Sequence, residues 1–332
     1  MGDNLIHIQI IDSSLIVTDA KPAYNFDPIY QYIKEDIEKA DVAFLNQETL
    51  FAGEAFGFSG YPQFNAPVAL GQTITNLGFD VVNHATNHIM DKGEAAVRAT
   101  IDYWEERPDV AYLGIHASEE ARKVPKIVEK NGIKLGFLSY TYGTNGLPVP
   151  KNAPYLVSLI DSGVMAQEID ALRPFCDYLI VSMHWGDEYD HTPTKRQEAL
   201  AVFLAEHNVD LVLGHHPHVL QEMRQIKRPD GGEMLVYFSL GNFVSAQNRL
   251  PTLLGGMARV RLVKDNGGTR WEAASLTPLV THYEKGYTGF RVYRFEDYTD
   301  ALAARHGSGV MDVDKLKGII KNVIPFATDK HE

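Results

Sequence analysis

The stretch Gly214-His215-His216-Pro217-His218 directly follows Val209-Asp210-Leu211-Val212-Leu213, a short apolar run that predicts a buried strand. Side chains two positions apart on extended backbone point the same way, so His216 and His218 can converge on one metal ion or on two neighbouring ions. Neutral imidazole is the commonest protein ligand of first-row metals. A lone histidine at a strand end is usually structural, but no core requires three imidazoles beside a glycine and a proline that shape the turn. The stretch therefore predicts metal or phosphate chemistry.

Apolar strands and amphipathic helices alternate over the first 245 residues. The spacing of apolar residues predicts strands at 42–45, 79–82, 133–140, 178–183, 209–213 and 235–240, and helices at 27–40, 66–77, 94–106, 164–172 and 194–207. Beyond residue 250, strands at 257–263 and 270–279 flank a hairpin turn at 265–268, and 312–323 predicts a helix. The alternation predicts a layered α/β fold in one domain over 1–332, with the motifs in 1–250 and the C-terminal strands and helix in 251–332.

Composition narrows the class of protein. The chain has 332 residues and is 45% hydrophobic, enough for a large core. Asp and Glu (43) outnumber Lys and Arg (31), and the net charge of −12 argues against nucleic-acid binding, which normally requires a basic surface. The single cysteine, Cys176, excludes an internal disulfide. No apolar run approaches the roughly 18–20 residues of a membrane span and no signal peptide is recognisable, so we expect a soluble domain as written.

Five polar clusters follow the strands, although no strand is predicted before the first cluster: Gly2-Asp3, 46–48, 83–88 with Asp91, 184–186 and 214–218. Ligands of layered α/β proteins bind outside the carboxyl ends of the strands, so we expect the clusters to meet in a dinuclear metal site. The candidate ligands are Asp3, Glu48, Asn87, His184, His216 and His218, with one carboxylate bridging the ions. His7 is either a further ligand or an ordinary strand residue. The lack of cysteine ligands favours Mn, Fe, Co or catalytic Zn over structural zinc.

Three side chains beside His184 are candidate substrate contacts. Trp185 and Tyr189 either line a substrate groove or simply pack against the protein. Glu188 is a candidate contact to the substrate or to a ligand histidine. The sequence leaves these alternatives open.

Two further segments follow strands. Ser239 and Asn242 come after the strand 235–240 and can brace the site from behind its ligands. The Gly- and Asn-containing stretch 140–146 is interpreted as a simple loop, with a place on the pocket rim as the alternative. No Gly-x-Ser-x-Gly, P-loop or Gly-x-Gly-x-x-Gly motif occurs, so serine hydrolase, nucleotide kinase and Rossmann functions lack support.

Six motifs occur in one order between about residues 2 and 245: Gly2-Asp3, Asn46-Gln47-Glu48, Thr86-Asn87-His88-Ile89-Met90-Asp91, His184-Trp185-Gly186-Asp187-Glu188-Tyr189, Gly214-His215-His216-Pro217-His218-Val219 and Tyr237-Phe238-Ser239-Leu240-Gly241-Asn242-Phe243. With them the chain resembles the CapA family of poly-γ-glutamate capsule synthesis proteins, in the calcineurin-like metallophosphoesterase superfamily. The resemblance implies a four-layer α/β/β/α sandwich with a dinuclear site at one edge. It also implies an extracytoplasmic, membrane-associated protein of capsule-forming bacteria, whose anchor or signal lies outside this chain. The implied partners are poly-γ-glutamate or a phosphorylated small molecule or polymer, and membrane components of a capsule synthase.

The resemblance assigns roles to the motifs. Its metal ligands are Asp3, Glu48 as the bridging carboxylate, Asn87, His184, His216 and His218. The extra histidine, His215, contacts substrate or replaces His216 if the loop is shifted. The sequence departs from the superfamily pattern because the first histidine after Asp3 is His7, four positions on, and because the bridge is glutamate rather than aspartate. Since no strand is predicted before Asp3, we expect this carboxylate to be poorly placed. The sequence therefore does not decide whether both metal positions are filled.

The resemblance also implies a phosphoesterase mechanism. Two metal ions would polarise a phosphoryl oxygen and lower the pKa of a bridging water, and the resulting hydroxide would attack phosphorus in line. His88 would protonate the leaving oxygen, and Asp91 would hold its ring. The alternative is a non-catalytic protein that binds, anchors or exports poly-γ-glutamate through the same groove. An acidic protein binds a polyanion poorly unless metals or a local cationic pocket compensate.

Overall fold

The structure, a computed structural model, describes residues 1–16 and 23–323. Its strands, in chain order, are β1 (Asp3–Asn4), β2 (Leu15–Ile16), β3 (Ala23–Tyr24), β4 (Phe44–Gln47), β5 (Val81–Asn83), β6 (Ala111–Leu113), β7 (Ile127–Lys130), β8 (Ile133–Thr141), β9 (Tyr178–His184), β10 (Leu211–His215), β11 (Met223–Lys227), β12 (Glu233–Tyr237), β13 (Asn242–Val244), β14 (Leu254–Asp265), β15 (Gly268–Glu284) and β16 (Thr288–Arg294). Its α-helices are α1 (Ile8–Ser13), α2 (Asp27–Tyr30), α3 (Lys34–Glu38), α4 (Val68–Asn76), α5 (Gly93–Glu105), α6 (Glu119–Arg122), α7 (Ser162–Leu172), α8 (Lys195–Glu206), α9 (Asp300–Arg305) and α10 (Val313–Val323). Short 3-10 turns occur at Glu54–Phe56, Arg173–Phe175, Leu250–Leu253 and Phe295–Asp297.

Two large sheets form the centre of the molecule. The first has the strand order β13-β1-β4-β5-β6, and all its neighbours pair in parallel. The second has the order β11-β12-β10-β9-β8-β7, with a parallel centre and an antiparallel strand at each edge. Because the central strands of both sheets are parallel, their carboxyl ends gather at one edge of each sheet.

The side chains of β9 show how the sheets and helices are layered. Tyr178 and Ile180 pack in the apolar cluster between the two sheets, together with residues of β5, β6, β8 and β10. Leu179 and Val181 pack on the other side, against the apolar faces of α7 and α8. Since successive strand side chains point to opposite faces, this strand is buried on both sides, as its continuous apolar sequence predicts.

Helices also cover the outer face of the first sheet. Apolar residues of α2, α3, α4 and α5 share a buried cluster with Leu45, Val82 and Val244 of that sheet. The order of layers is therefore helices, five-stranded sheet, six-stranded sheet, helices. The α/β/β/α sandwich expected from the resemblance is confirmed.

The C-terminal segment adds the antiparallel sheet β14-β15-β16 and the helices α9 and α10. Leu276 of β15 and Leu316 of α10 join the cluster between the large sheets, whereas Leu279 of β15 joins the outer cluster. Along the described ranges, no helix is long and apolar enough to cross a bilayer. The assignment of 1–332 to one domain stays a prediction.

Two sequence predictions of secondary structure need correction. The helix predicted at 27–40 is instead two short helices, α2 and α3, separated by a turn at residues 31–33. The segment around His7, treated as strand, turns directly into helix α1. In both places the apolar spacing suits more than one local structure, and packing against the first sheet decides between them.

Candidate metal centre

The polar clusters meet where the carboxyl ends of the two sheets come together. From the first sheet, Asp3 lies in β1 and Glu48 directly follows β4, while Asn87 lies in the turn after β5. From the second sheet, His184 is the last residue of β9, and the histidine loop follows β10. The expected convergence of these side chains is therefore present in the fold.

Two groups of ligating atoms share one residue, and a third group, which includes Glu188, is described below. Asp3, Glu48 and His218 make one group, and Glu48, His184 and His216 make the other. Within each group the ligating atoms lie within 4.8 Å of one another. Glu48 is the only member common to these two groups, which is the position a bridging carboxylate occupies between two ions.

Glu48 is buried in a setting unusual for a carboxylate. Its side chain is 1% exposed, and neither carboxylate oxygen has a hydrogen-bond partner within residues 1–16 and 23–323. The ring nitrogens Nε2 of His184 and His218 lie 3.6 and 3.9 Å from Oε1, beyond hydrogen-bond length. Burial raises the pKa of Glu48 well above its usual value. A buried carboxylate without donors is costly, and a divalent cation would supply the missing partner.

Asp3 is held firmly, which corrects the expectation that it is poorly placed. Its strand, β1, pairs with both β4 and β13, and its side chain is fully buried. Oδ1 accepts a hydrogen bond from Asn46 Nδ2 at 2.8 Å, and Oδ2 lies 3.1 Å from His218 Nδ1. Burial acts to raise the pKa of Asp3, but hydrogen bonds and charges from His215 and His218 bring it well below its usual value.

The histidine loop adopts an unusual backbone. His216 and His218 have φ values of 97° and 59°, a region that residues other than glycine seldom enter. The backbone N–H of His216 points at Asp3 Oδ2, 3.3 Å away. Such conformations cost about 1–3 kcal/mol each and persist only where surrounding contacts fix them. Here the loop conformation brings the two rings to the ligand groups.

His218 turns one ring nitrogen toward Glu48 and anchors the other. Nδ1 lies 3.1 Å from Asp3 Oδ2 and 3.0 Å from Asn242 Oδ1, and both are acceptors, so this nitrogen carries the hydrogen. Nε2 is left to face Glu48. Burial works to lower the pKa of His218, but the carboxylates of Glu48 and Asp3 raise it to about 9.

The other two ligand histidines are held neutral. Burial lowers the pKa of His184 well below its usual value and lowers that of His216 to about 3. His184 Nε2 lies 2.8 Å from Asn87 Oδ1, so the amide oxygen reaches the group that contains His184 and Glu48. A neutral imidazole is the form that binds metal ions.

His88 lies beside the metal groups with its ring fixed from several sides. Nδ1 is 2.8 Å from Asp91 Oδ2, which also accepts the backbone N–H of Phe64. The Phe64 ring packs edge-on against His88 at 4.7 Å between centroids. Asn145, in the loop after β8, also lies beside the ring, with its Nδ2 3.4 Å from His88 Nδ1. Its Oδ1 accepts a hydrogen bond from Asn87 Nδ2 at 3.1 Å.

Sequence reasoning misses Asn145 as a site residue. The interpretation of 140–146 as a simple loop overlooks that this stretch follows β8 at the same sheet edge as the other clusters. That placement, together with an asparagine at φ 51°, is the signal that could have identified it.

Two predicted substrate contacts, His215 and Trp185, are almost fully buried. His215 is fully buried, stacks on Phe44 at 5.9 Å between ring centroids, and has Nδ1 3.6 Å from Asp3 Oδ1. Trp185 is 1% exposed, and its indole N–H donates to the backbone carbonyl of Phe238. The position of His215 does not fit substrate binding, because it continues the buried alternation of its strand. Trp185 also lines a cavity together with the first turn of α8, so its assignment to a substrate groove stays a prediction.

The remaining three candidates are Glu188, Tyr189 and His7. Glu188 is exposed and groups with His216 and His218 within 4.8 Å. Tyr189 is 38% exposed, with the Arg249 guanidinium 4.4 Å from its ring centroid. His7 lies outside the ligand groups found among the described residues, and its Nδ1 contacts the backbone of residues 5 and 246.

Both predicted bracing residues support the histidine loop. Asn242 accepts from His218, as described above. Ser239 donates its hydroxyl hydrogen to the carbonyl of Val219 at 2.7 Å and accepts the N–H of Gly241. These contacts fix the His218 ring and the backbone of the next residue, Val219.

A family model described as bacterial capsule synthesis protein PGA_cap matches residues 1–247. The PGA biosynthesis protein CapA of Bacillus subtilis (strain 168) is 28% identical over 274 residues, which cover 80% of this chain and 67% of that protein. The capsule biosynthesis protein CapA of Bacillus anthracis is 34% identical over 202 residues, which cover 59% of this chain and 47% of that protein. The match thus spans about half to two thirds of these relatives.

Solved structures also align with the chain. A 5'-nucleotidase precursor from Thermus thermophilus aligns with a TM-score of 0.49 and 14% identity, covering 84% of this chain and 53% of that one. The calcineurin-like phosphoesterase YfkN from Bacillus subtilis aligns with a TM-score of 0.45 and 13% identity, covering 92% and 91%.

Proposed function

The chain belongs to the bacterial capsule synthesis protein family PGA_cap, and from this premise we propose that it serves capsule synthesis through a metal-dependent, phosphoesterase-type site. The observation that carries the proposal is Glu48, a buried carboxylate without hydrogen-bond partners in the described structure, shared by two groups of ligating atoms. A purely structural carboxylate would be paired or exposed.

The residues present fit a pair of divalent ions. Asp3, Glu48 and His218 would hold one ion, and Glu48, His184 and His216 the other, with the Asn87 oxygen beside the second. Oxygen and imidazole donors without sulfur suit Mn, Fe, Co or Zn. Such ions, when bound, polarise a phosphoryl oxygen and lower the pKa of a bound water.

His88 is the proposed general acid. Its Nδ1 is engaged by Asp91, so Nε2 is the atom that would hand a proton to the leaving oxygen of a phosphoester. Asp91, Phe64 and Asn145 fix the ring and thereby reduce the entropy lost on reaching the reactive geometry.

The biological role follows from the relatives. Two proteins named for capsule or PGA biosynthesis match this chain, so we propose poly-γ-glutamate or a phosphorylated precursor as the substrate class. An extracytoplasmic setting next to membrane components of a capsule synthase is part of the same proposal. Because the match covers only part of each relative, these assignments concern the site described here.

The test combines metal analysis with turnover of p-nitrophenyl phosphate. The purified chain is loaded with Mn²⁺, freed of excess metal and analysed by atomic emission, and then assayed. We expect His216→Ala and His218→Ala each to lose bound metal and turnover. His207→Ala, at a half-buried histidine at the end of α8, is the matched control.

The outcomes separate two functions. If His216→Ala and His218→Ala leave metal content and turnover unchanged, the phosphoesterase proposal is wrong. If the wild-type chain binds no metal but retains poly-γ-glutamate in an equilibrium binding assay, the non-catalytic role in polymer binding, anchoring or export replaces it.

A further inference from the structure

A cavity of about 560 Å³ opens beside the metal centre. One wall is the segment Gly186–Glu188 that follows β9, and the opposite wall is the first turn of α8. Tyr142 and His216 line it on the side of the ligand groups. Because His216 belongs to one of those groups, the cavity borders the candidate metal centre at this residue.

Two cations line this cavity without a partner. Lys195 and Arg196 are exposed, and neither makes an ion pair within the part of the chain that the structure describes. They are the first two residues of α8, where backbone N–H groups lack an acceptor inside the helix. The Thr194 hydroxyl accepts the backbone N–H of Gln197, the third residue of α8. It therefore does not cap the backbone N–H groups of Lys195 and Arg196. The helix dipole adds positive potential at the same end.

His216 gives an independent indication of a ligand. Its side chain is 3% exposed, and Nδ1 has no hydrogen-bond partner among residues 1–16 and 23–323. A buried, unpartnered ring nitrogen on a cavity wall is a polar group that a bound molecule would satisfy.

Carboxylates on the facing wall limit the charge that the cavity can accept. Asp187 and Glu188 both line the cavity, and Glu188 also groups with His216 and His218. Asp187, which belongs to none of the ligand groups found among the described residues, is the acidic group chosen to test opposition to an anion next to Lys195 and Arg196. Lys195 and Arg196 place two positive charges on one cavity wall of a chain whose net charge is −12.

We propose that this cavity is an anion subsite, which binds a second anionic oxygen group of the molecule whose first group sits at the metal centre. The substrate class is therefore a polyanion with at least two anionic groups, either carboxylates along an acidic chain or linked phosphates. The inference rests on the proposed function, because the metal centre defines the first anionic group.

The test measures binding rather than turnover, by fluorescence anisotropy at about 20 mM salt, where screening is weak. The probes are fluorescein-labelled penta-γ-glutamate, the matching penta-γ-glutamine, and inorganic tripolyphosphate as a competitor. Wild type is compared with K195Q/R196Q, with D187N and with K285Q/K321Q, which removes two exposed cations outside the cavity. Each protein is measured in EDTA and after loading with Mn²⁺, and circular dichroism checks that it is folded.

We expect K195Q/R196Q to weaken the binding of penta-γ-glutamate or tripolyphosphate by at least about fivefold, as the loss of two exposed charge contacts allows. The probe that is weakened identifies the source of the anionic group. D187N should tighten the same probe about twofold, and K285Q/K321Q should stay within twofold of wild type.

The proposal is overturned if K195Q/R196Q binds both anionic probes like wild type, or if K285Q/K321Q weakens their binding as much as K195Q/R196Q does. It is also overturned if penta-γ-glutamine binds as tightly as penta-γ-glutamate and tripolyphosphate does not compete. Failure of the proposed function gives a different result, since the chain then takes up no Mn²⁺. The measurements in EDTA test the cavity in that case too.

Discussion

Replacing Glu48 by glutamine should change the stability of the protein in opposite directions without and with metal. Glu48 is buried, its carboxylate oxygens lack hydrogen-bond partners in the described structure, and burial raises its pKa. Asp3 and Glu48 face one cationic ring, that of His218, so Glu48 in its ionised form leaves one negative charge without compensation. Glutamine removes this charge while keeping the volume of the side chain.

The size of the effect follows from general values. A buried charged group without partners costs about 1–3 kcal/mol or more, and the amide still lacks partners, so we expect E48Q to stabilise the metal-free protein by about 1–2 kcal/mol. For a chain of 332 residues, 1 kcal/mol corresponds to a melting-temperature change of about 1.4 °C. Metal at a hundred times its Kd stabilises the wild type by about 2.7 kcal/mol, or about 4 °C. E48Q should therefore melt about 2 °C above wild type in EDTA and about 2 °C below it in excess Mn²⁺.

The difference in EDTA should also depend on pH. Because folding raises the pKa of Glu48, the folded protein holds this proton more tightly than the unfolded chain. The metal-free wild type therefore loses stability as the pH rises above 4.5, the usual value for glutamate, and E48Q lacks this loss. The advantage of E48Q should be larger at pH 8 than at pH 5.

Differential scanning calorimetry in EDTA and in Mn²⁺ measures both effects. Glu233→Gln, at an exposed glutamate at the start of β12, is the matched control and should stay within about 0.5 kcal/mol of wild type. The reasoning is refuted if E48Q is no more stable than wild type in EDTA, or if Mn²⁺ raises its melting temperature as much as that of wild type.

Three further changes give separate tests. His88→Asn should lower kcat for p-nitrophenyl phosphate about 100-fold or more with bound metal retained, and Asp91→Asn should lower it about tenfold, as measured by steady-state kinetics and atomic emission. Gly214→Ala should destabilise the protein by about 3 kcal/mol or more in urea unfolding, because its Cβ would lie 2.0 Å from a backbone carbonyl oxygen, whereas Gly318→Ala in α10 meets no atom within 4 Å and should be neutral or stabilising. Burial lowers the pKa of His116 to about 3, so the unfolded chain binds the extra proton and stability falls as the pH drops below 6.5; His116→Gln should reduce the loss between pH 7 and pH 5 by up to about 2 kcal/mol in chemical unfolding.

The layers of the fold could be predicted because the strongest patterns are local. The apolar run at 178–183 is β9 within one residue, and the helix predicted at 194–207 is α8, which begins after a capping box formed by Thr194 and Gln197. Strand β1 could not be predicted in this way. It has two residues, Asp3 and Asn4, and both are polar. Its place depends on pairing with β4 and β13, from distant parts of the sequence.

The error at His215 comes from a strand boundary. The strand predicted at 209–213 continues in the structure to His215. Leu211, Leu213 and His215 then share one face of β10, and the two leucines pack between the sheets, so His215 lies in the core. Trp185 continues the face of Val181 and Met183 toward the helices and also lines the cavity beside α8, so both alternatives left open by the sequence fit its position. A shift of two residues at a strand end decides whether a side chain contacts substrate or packs inside.

The charges of the candidate metal centre bear on how an acidic protein could bind the proposed anionic substrate. Without metal, burial favours the neutral form of Glu48, and the protonated ring of His218 balances the charge of Asp3, so the centre does not attract anions. Two divalent ions would make the centre positive, because they are the largest local charges in such a site. Lys195 and Arg196 extend that positive potential into the neighbouring cavity. A polyanion should therefore gain most of its affinity only after metal binds, and this order would keep the acidic chain from holding the polymer when the centre is empty.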